Sequence, residues 1–351
     1  AQLYVDGMAH DERSYEKYNL SGAYGPAIAP YQSSDNLQGW WKLQNPSTLA
    51  DSSTHGRDGT VAGASNRPSI SSNRPAMGIQ TFTSTFDGDT AAGTGDTAVN
   101  IGTAATWDDI IGNDTANGST QVMTLAAWVY KTGDGEGDSP GGPGFGRIMD
   151  FGAGDIKWYT GTTEKVYFSV KWDGTEVRWE TGAGMFPLNQ WAHIAVTYDA
   201  TSTSNTPKIY VNGIERSVSL DTAGPTNDYS GIAGDDCFIG NNSSTLRTWQ
   251  GQLADVAVWN SVLTAKEIKT IYQAYFFQER ISSSGITSLG PKGAVGRIGA
   301  LITNPAGTTA ASGSGKLSGY LDEFRYWKVA RDARQIGLNY FTQVRGGTNT
   351  D

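Results

Sequence analysis

The sequence predicts an all-β protein whose main body is a β-sandwich. Glycine is frequent, with 45 residues in 351, and charged residues make up only 17% of the chain. Glycine inside a helix costs about 1 kcal/mol relative to alanine, so this composition disfavours a helical bundle. Aromatic residues reach 11%, which is more than disordered chains carry. Short alternating stretches between Val166 and Ala265, separated by turn dipeptides, complete the prediction.

Two dipeptides predict tight hairpins in the middle of the chain. Asp173-Gly174 and Asn212-Gly213 each separate two alternating stretches, and both favour the positive φ angles of a two-residue turn. Residues 264–268 have the pattern of a short capped helix. The other main strands are predicted at 37–43, 123–130, 147–151 and 253–259.

The chain is expected to contain three segments. Residues 1–36 have no clear period but carry five tyrosines, which predicts an extended N-terminal arm that packs on a neighbour. Residues 37–275 form the sandwich. Residues 276–351 hold a partial β repeat, because 319–328 line up with 251–260. Too few residues precede this second copy for a complete sandwich, so we expect a partner or further sequence to complete it.

Charge and hydropathy argue against several classes of partner. The formal net charge is −9, whereas a duplex nucleic acid requires clustered Lys and Arg. We expect no membrane insertion, because no apolar run of about 18 residues occurs. The first residues lack a basic and an apolar region, so we expect no signal peptide. The single cysteine, Cys237, lies in an apolar stretch, which predicts a buried thiol and no intrachain disulfide.

Eight short motifs follow one another along the sandwich segment. They are Gly39-Trp40-Trp41, 51–59, Phe86-Asp87-Gly88, Ala127-Trp128-Val129, Trp191-Ala192-His193, Tyr210-Val211-Asn212-Gly213, Phe238-Ile239-Gly240 and 251–260. In this order they resemble the laminin-G-like, pentraxin-like branch of the concanavalin A-like lectin/glucanase superfamily. The resemblance implies an antiparallel two-sheet jelly roll. It also implies a binding surface on the concave face or at the loop rim.

The same resemblance implies calcium as the common bound ion. The matching candidates are Asp51 and Asp58 in the opening turn, together with an Asp entering the closing strand. This chain has Ala254 at that third position, whereas the tail copy has Asp322, which is therefore a candidate as well. The alternative is that Asp51 and Asp58 only form and cap the turn.

Four aromatic residues are candidates for contact with a ligand or a partner. Trp158, Tyr159, Trp172 and Trp179 lie in a stretch whose alternation leaves some rings outside the core. Aromatic faces suit stacking on sugar rings and also suit protein interfaces. A third role, packing within the core and the hairpin, remains open for all four.

We expect no enzymatic activity. The resemblance implies that laminarinase-like members of the superfamily carry three carboxylates in a Glu-x-Asp-x-x-Glu pattern on one strand, and this spacing does not occur here. Glu176 and Glu180 share a strand face with Arg178 between them, which predicts a solvated ladder of charges. The chain has only three histidines, scattered along its length, so a Ser–His–Asp triad has little support.

The tail gives the strongest indication of context. Residues 316–331, 335–337 and 340–351 are similar to segments of large structural proteins of tailed bacteriophages that infect marine cyanobacteria. The resemblance implies a virion component in a fibre, tail or capsid decoration, with copies of itself or other virion proteins as partners. The alternative hypothesis is a carbohydrate-binding adhesin module that recognises cell-surface glycans, on the virion, secreted or at a cell surface.

Overall fold

The computed structural model describes seven stretches of the chain, at residues 3–5, 8–10, 36–61, 67–75, 82–88, 96–136 and 144–274. Most of the predicted arm and all of the predicted repeat at 276–351 lie outside them. The chain divides into two compact units, Tyr18–Gln278 and a unit that joins Ala1–Lys17 to Glu279–Asp351. In the latter, β1 (Leu3–Val5) and β2 (Met8–His10) pair as antiparallel strands.

Within the described residues, the larger unit holds fifteen further strands and two helices. The strands are β3 (Leu37–Trp41), β4 (Ser69–Ser71), β5 (Thr83–Asp87), β6 (Val99–Gly102), β7 (Val122–Lys131), β8 (Arg147–Phe151), β9 (Ile156–Thr160), β10 (Val166–Trp172), β11 (Thr175–Thr181), β12 (Trp191–Asp199), β13 (Lys208–Val211), β14 (Ile214–Arg216), β15 (Val218–Leu220), β16 (Cys237–Ile239) and β17 (Gln250–Trp259). The helices are α1 (Ala104–Ile111) and α2 (Ala265–Ala274).

Two antiparallel sheets form the sandwich, which confirms the fold class predicted from the sequence. The seven-stranded sheet has the order β15-β11-β10-β9-β8-β16-β6. The eight-stranded sheet has the order β14-β13-β12-β7-β17-β5-β4, and β3 pairs with β17 as its eighth strand. No helix in the described residues is long and apolar enough to span a membrane.

Both predicted hairpins form through the expected turns. Asp173 and Gly174 have φ angles of 49° and 71°, and they connect β10 to β11. Asn212 and Gly213 have φ angles of 53° and 72°, and they connect β13 to β14. Positive φ at both central residues matches the right-handed twist of the strands, and Asn, Asp and Gly tolerate it best.

Helix α2 begins as predicted, at a reciprocal cap. The backbone N–H of Glu267 donates to the hydroxyl of Thr264, and the backbone N–H of Thr264 donates to the Glu267 carboxylate at 2.7 Å. Helix α1 was not predicted. It is a single short element between two strands, capped by the Thr103 side chain, which accepts from the backbone N–H of Thr106.

The sandwich buries two separate apolar layers. An inner core fills the space between the sheets and includes most of the large buried rings, such as Trp41, Trp107 and Trp158. An outer layer covers the other face of the eight-stranded sheet, where Trp128 and Trp259 pack with Ile268 of α2. Helix α2 therefore protects a sheet face that would otherwise expose apolar residues to water.

A β-bulge allows β17 to serve both layers. Leu253, Val256 and Val258 belong to the inner core, whereas Ala254 and Ala257 belong to the outer layer. Strict alternation would not give this pattern. The pairing of β17 with β7 shifts between Ala254 and Ala257, where Asp255 has a positive φ of 46°. Because of the extra residue, the apolar side chains before and after the bulge point into the layers to which they belong.

His193 is enclosed between the eight-stranded sheet and α2. Its side chain is fully buried, and the rings of Trp128 and Tyr272 pack beside it at centroid distances of 5.4 and 6.2 Å. Neither ring nitrogen has a hydrogen-bond partner in the described part of the chain. Burial lowers the pKa of His193 from 6.5 to about 3, because the charged form loses its hydration.

This burial predicts a specific acid sensitivity. Between pH 6.5 and about 3 the unfolded chain protonates this histidine and the folded chain does not. The folded state is therefore fully stable with respect to this group above pH 6.5, and it loses stability as the pH falls from 6.5 towards 3. We expect the free energy of unfolding to fall by up to about 1.4 kcal/mol per pH unit in this window. In His193→Phe this part of the slope should disappear, while stability at alkaline pH should change by less than about 1.5 kcal/mol. Denaturant titrations across the pH range measure both quantities.

His55 provides the matched control, because it is exposed in a turn. His55→Gln should keep the slope of the native chain. An unchanged slope in His193→Phe would show that acid destabilisation has another origin.

Candidate binding sites

A groove of about 550 Å³ lies at one end of the sandwich. We name it the rim groove. Its lining residues come from four parts of the chain, namely Asn113 and Gln121, Trp172, the stretch 200–203 and the stretch 227–229. These parts belong to loops and strand ends of both sheets. The fold therefore creates the groove by bringing together segments that are distant in sequence.

Buried aromatic rings form the floor of the rim groove. The indole N–H of Trp172 on β10 donates to the hydroxyl of Tyr198 on β12 at 3.1 Å, so this bond joins the two sheets. Tyr229 packs against Trp172 with ring centroids 5.8 Å apart. Its hydroxyl donates to the carbonyl of Ile111 at 3.3 Å. Burial raises the pKa of Tyr229, and the nearby Asp108 carboxylate adds to the effect. The phenol is therefore neutral and fixed in position.

Amide and hydroxyl side chains form the walls. Asn113 and Asn227 are exposed at the rim, but hydrogen bonds to neighbouring loops hold both side chains in place. Gln121 and Asn227 have positive φ angles of 54° and 56°. Such backbone conformations are unfavourable for Gln, and they concentrate at functional sites. The groove is therefore lined mainly by polar side chains that the surrounding loops hold in place.

The outer face of the seven-stranded sheet is a second polar surface. Strand register places Asp150, Lys157, Ser169 and Arg178 in one row across β8 to β11. The charged groups on this face are paired: Lys157 with Glu176, Lys165 with Glu180, Lys171 with Asp155, Arg147 with Asp150, and Arg178 with Asp221, at 2.6–2.9 Å. The charged ladder predicted on β11 is therefore present, and it extends over the whole face.

Of the roles left open for the four candidate aromatic residues, the structure shows packing within the protein. Exposed fractions are 0% for Trp158, 3% for Tyr159, 3% for Trp172 and 2% for Trp179. The three Trp rings point inward and pack in the inner core. Tyr159 lies on the outer face, where it stacks on Tyr167 at 4.9 Å, under the Arg147 guanidinium at 4.4 Å. Trp158, Tyr159 and Trp179 are covered by the chain itself, and Trp172 alone lines the rim groove.

The Asp51 carboxylate is engaged in hydrogen bonds within its own turn. One carboxylate oxygen accepts from the backbone N–H groups of Trp40 and Ser53, each at 2.8 Å. The other accepts from the Ser53 hydroxyl and from the N–H of Arg57. A cation in this place would meet four donor hydrogens. Asp51 therefore organises the turn, which is the alternative left open above.

Asp58 takes part in the same turn, because its carboxylate accepts from the Asp51 N–H at 2.8 Å. Within the described residues no group of three or more His, Cys, Asp or Glu side chains is arranged to hold a metal ion. Asp322 lies outside those residues.

Apart from Trp172, the residues of the rim groove were not predicted. Their stretches are rich in Asn, Asp, Ser and Thr, which also form ordinary turns. The one signal that sequence offered was the resemblance, which implied a binding surface at the loop rim.

The turn around Asp51 gives a test of the calcium hypothesis. Asp51→Ala removes the acceptor of four hydrogen bonds, and we expect it to lower the free energy of unfolding by about 2 kcal/mol. Asp109→Ala, at an exposed position on α1, should have little effect. A chelator should leave the melting temperature of the native chain unchanged. A chelator effect that is present in the native chain and absent in Asp51→Ala would contradict this account.

Several solved structures are distantly similar to this chain. The fourth domain of an extracellular arabinanase from Geobacillus stearothermophilus, in complex with arabinotriose, has 15% identity and a TM-score of 0.41, over 68% of this chain and 98% of that one. The receptor-binding domain of botulinum neurotoxin type G has 13% identity and a TM-score of 0.44, over 68% of this chain and 51% of that one. The binding domain of paraclostridial mosquitocidal protein 1 has 12% identity and a TM-score of 0.46, over 70% and 53%.

These likenesses are too distant to indicate a function, and the chain spans only about half of the two toxin domains. No curated protein matches the sequence. Residues 108–269 do match the family model described as "Concanavalin A-like lectin/glucanases superfamily". Over these residues the chain is therefore similar to that superfamily, and its two-sheet fold agrees with the match.

Proposed function

We propose that the sandwich is a non-catalytic carbohydrate-binding module and that its ligand occupies the rim groove. The observation that carries the proposal is a groove lined mainly by fixed amide and hydroxyl groups, above the nearly buried rings of Trp172 and Tyr229. Sugars present hydroxyl groups at their edges and weakly polar C–H groups on their faces. Amides, hydroxyls and carboxylates bind the former, and aromatic residues suit the latter.

The arrangement of carboxylates supports a non-catalytic role. Glycosidases need two carboxyl groups about 5–9.5 Å apart with different roles. On the outer face of the seven-stranded sheet, burial raises the pKa of Asp150. Its cross-strand neighbours, however, are Lys157 on β9 and Phe238 on β16. Glu176 is held by Lys157 at 2.7 Å. No carboxylate is therefore directly paired with Asp150 on either neighbouring strand.

Filling the rim groove should abolish saccharide binding. Thr203 is exposed in the groove lining, so Thr203→Trp should fold normally while its side chain occupies the ligand volume. We expect a glycan array to identify ligands for the native chain. Isothermal titration with those ligands should show affinity reduced by about tenfold or more in the variant, which corresponds to about 1.4 kcal/mol.

Thr163→Trp is the matched control, because Thr163 is exposed in the turn between β9 and β10, at the other end of β10 from Trp172. It should bind as the native chain does. An array without any hit, or equal binding by both variants, would refute the rim groove as a saccharide site.

We also propose that the module belongs to a bacteriophage particle, where it acts as a rigid interaction block. What supports this is the resemblance of residues 316–351 to phage structural proteins. In this setting the sandwich would connect copies of the chain, or other virion proteins, to host-surface glycans.

Such a role requires self-association or assembly with other proteins. We expect light scattering on the purified chain to give a mass above the 37.4 kDa of one copy, rising with concentration. A mass of one copy at every concentration would count against a homo-oligomeric virion component.

A further inference from the structure

Hydrogen-bond directions in the rim groove limit what can bind there. The side-chain N–H₂ of Asn113 donates to the carbonyls of Tyr229 and Ser230 at 3.1 and 3.0 Å. The side-chain N–H₂ of Asn227 donates to the Asp173 carboxylate at 2.8 Å. Carbonyl and carboxylate oxygens only accept, so both amides have a fixed orientation. Each amide therefore keeps its oxygen free for a ligand.

The Thr201 hydroxyl also offers a ligand an acceptor rather than a donor. Its hydroxyl donates to the Asp199 carboxylate at 2.5 Å, so its remaining capacity is to accept. Asp228 adds an exposed carboxylate to the lining. Gln121, the hydroxyls of Ser202 and Thr203, and the second amide hydrogen of Asn227 can still donate. A ligand must consequently supply donors to most of the fixed groups.

Electrostatics act in the same direction. The lining contains no Lys, Arg or His. Three carboxylates accept hydrogen bonds from lining residues, namely Asp108, Asp173 and Asp199. A fourth, Asp228, belongs to the lining itself. None of the four forms an ion pair with a described residue. Carboxylates of one sign around a cleft create a negative potential inside it.

Building on the proposed function, we infer that the rim groove selects saccharides that carry free amino groups and rejects acidic saccharides. An ammonium group supplies three donors and a positive charge, which matches the free acceptors and the carboxylates. An N-acetyl group supplies one donor and no charge. A uronate or sulfate supplies no donor and is repelled by Asp228. Selection therefore follows from charge and from donor count together.

Three probes of equal length test the inference by isothermal titration: a glucosamine trimer, its fully N-acetylated counterpart and a galacturonic acid trimer. At about pH 6 the amino groups are protonated. The glucosamine trimer should bind tightest and the galacturonate trimer weakest. Asp228→Asn should reduce the preference for the glucosamine trimer over its N-acetylated counterpart by about twofold to fivefold. Added salt should reduce it as well.

Glu215→Gln is the control for charge alone, because Glu215 is exposed on edge strand β14 and lies outside the groove lining. It should leave the ranking of the probes unchanged.

Equal or tighter binding of the galacturonate trimer would overturn the inference. If Thr203→Trp still abolished that binding, the proposed saccharide site would stand. No binding by any of the three probes would also overturn the inference, and the glycan array would then decide the proposed function separately.

Discussion

The sandwich depends on a single irregularity in its central strand. β17 pairs with β3, β5 and β7, and its two faces contribute to both apolar layers. Because side chains alternate strictly along a strand, a shift by one residue exchanges the two faces. The bulge at Asp255 absorbs one residue and keeps Val256 and Val258 inside. The indole N–H of Trp40 donates to the buried Asp255 carboxylate at 2.7 Å. The charged side chain at the bulge therefore has a hydrogen-bond donor although it is buried.

Local signals predicted much of this architecture. The two hairpin dipeptides, the apolar run of β7 and the reciprocal cap of α2 are each decided by neighbouring residues, so a single sequence is enough to find them. Helix α1 was missed because it is only eight residues long, although its buried residues Ala104, Trp107, Ile110 and Ile111 have helical spacing. The bulge in β17 was also not foreseen, since it depends on both layers at once.

For the candidate aromatic residues, sequence reasoning left three roles open. Along β9 to β11, Trp158, Trp172 and Trp179 alternate with charged residues such as Lys157 and Arg178. The charged positions form one face, so the rings had to occupy the other face, in the core. Alternation could have given this result. The rim groove is different, because its residues come from four separated stretches and only the finished topology brings them together.

The hydrogen bond between Trp172 and Tyr198 has a consequence for how such a module diversifies. Both residues sit in strands, and their bond fixes the base of the cavity independently of the loops above it. Insertions or substitutions in the stretches 200–203 and 227–229 can therefore alter the chemistry of the walls without changing the register of either sheet. The same scaffold can acquire new specificities by loop exchange alone, in the manner of an antibody framework.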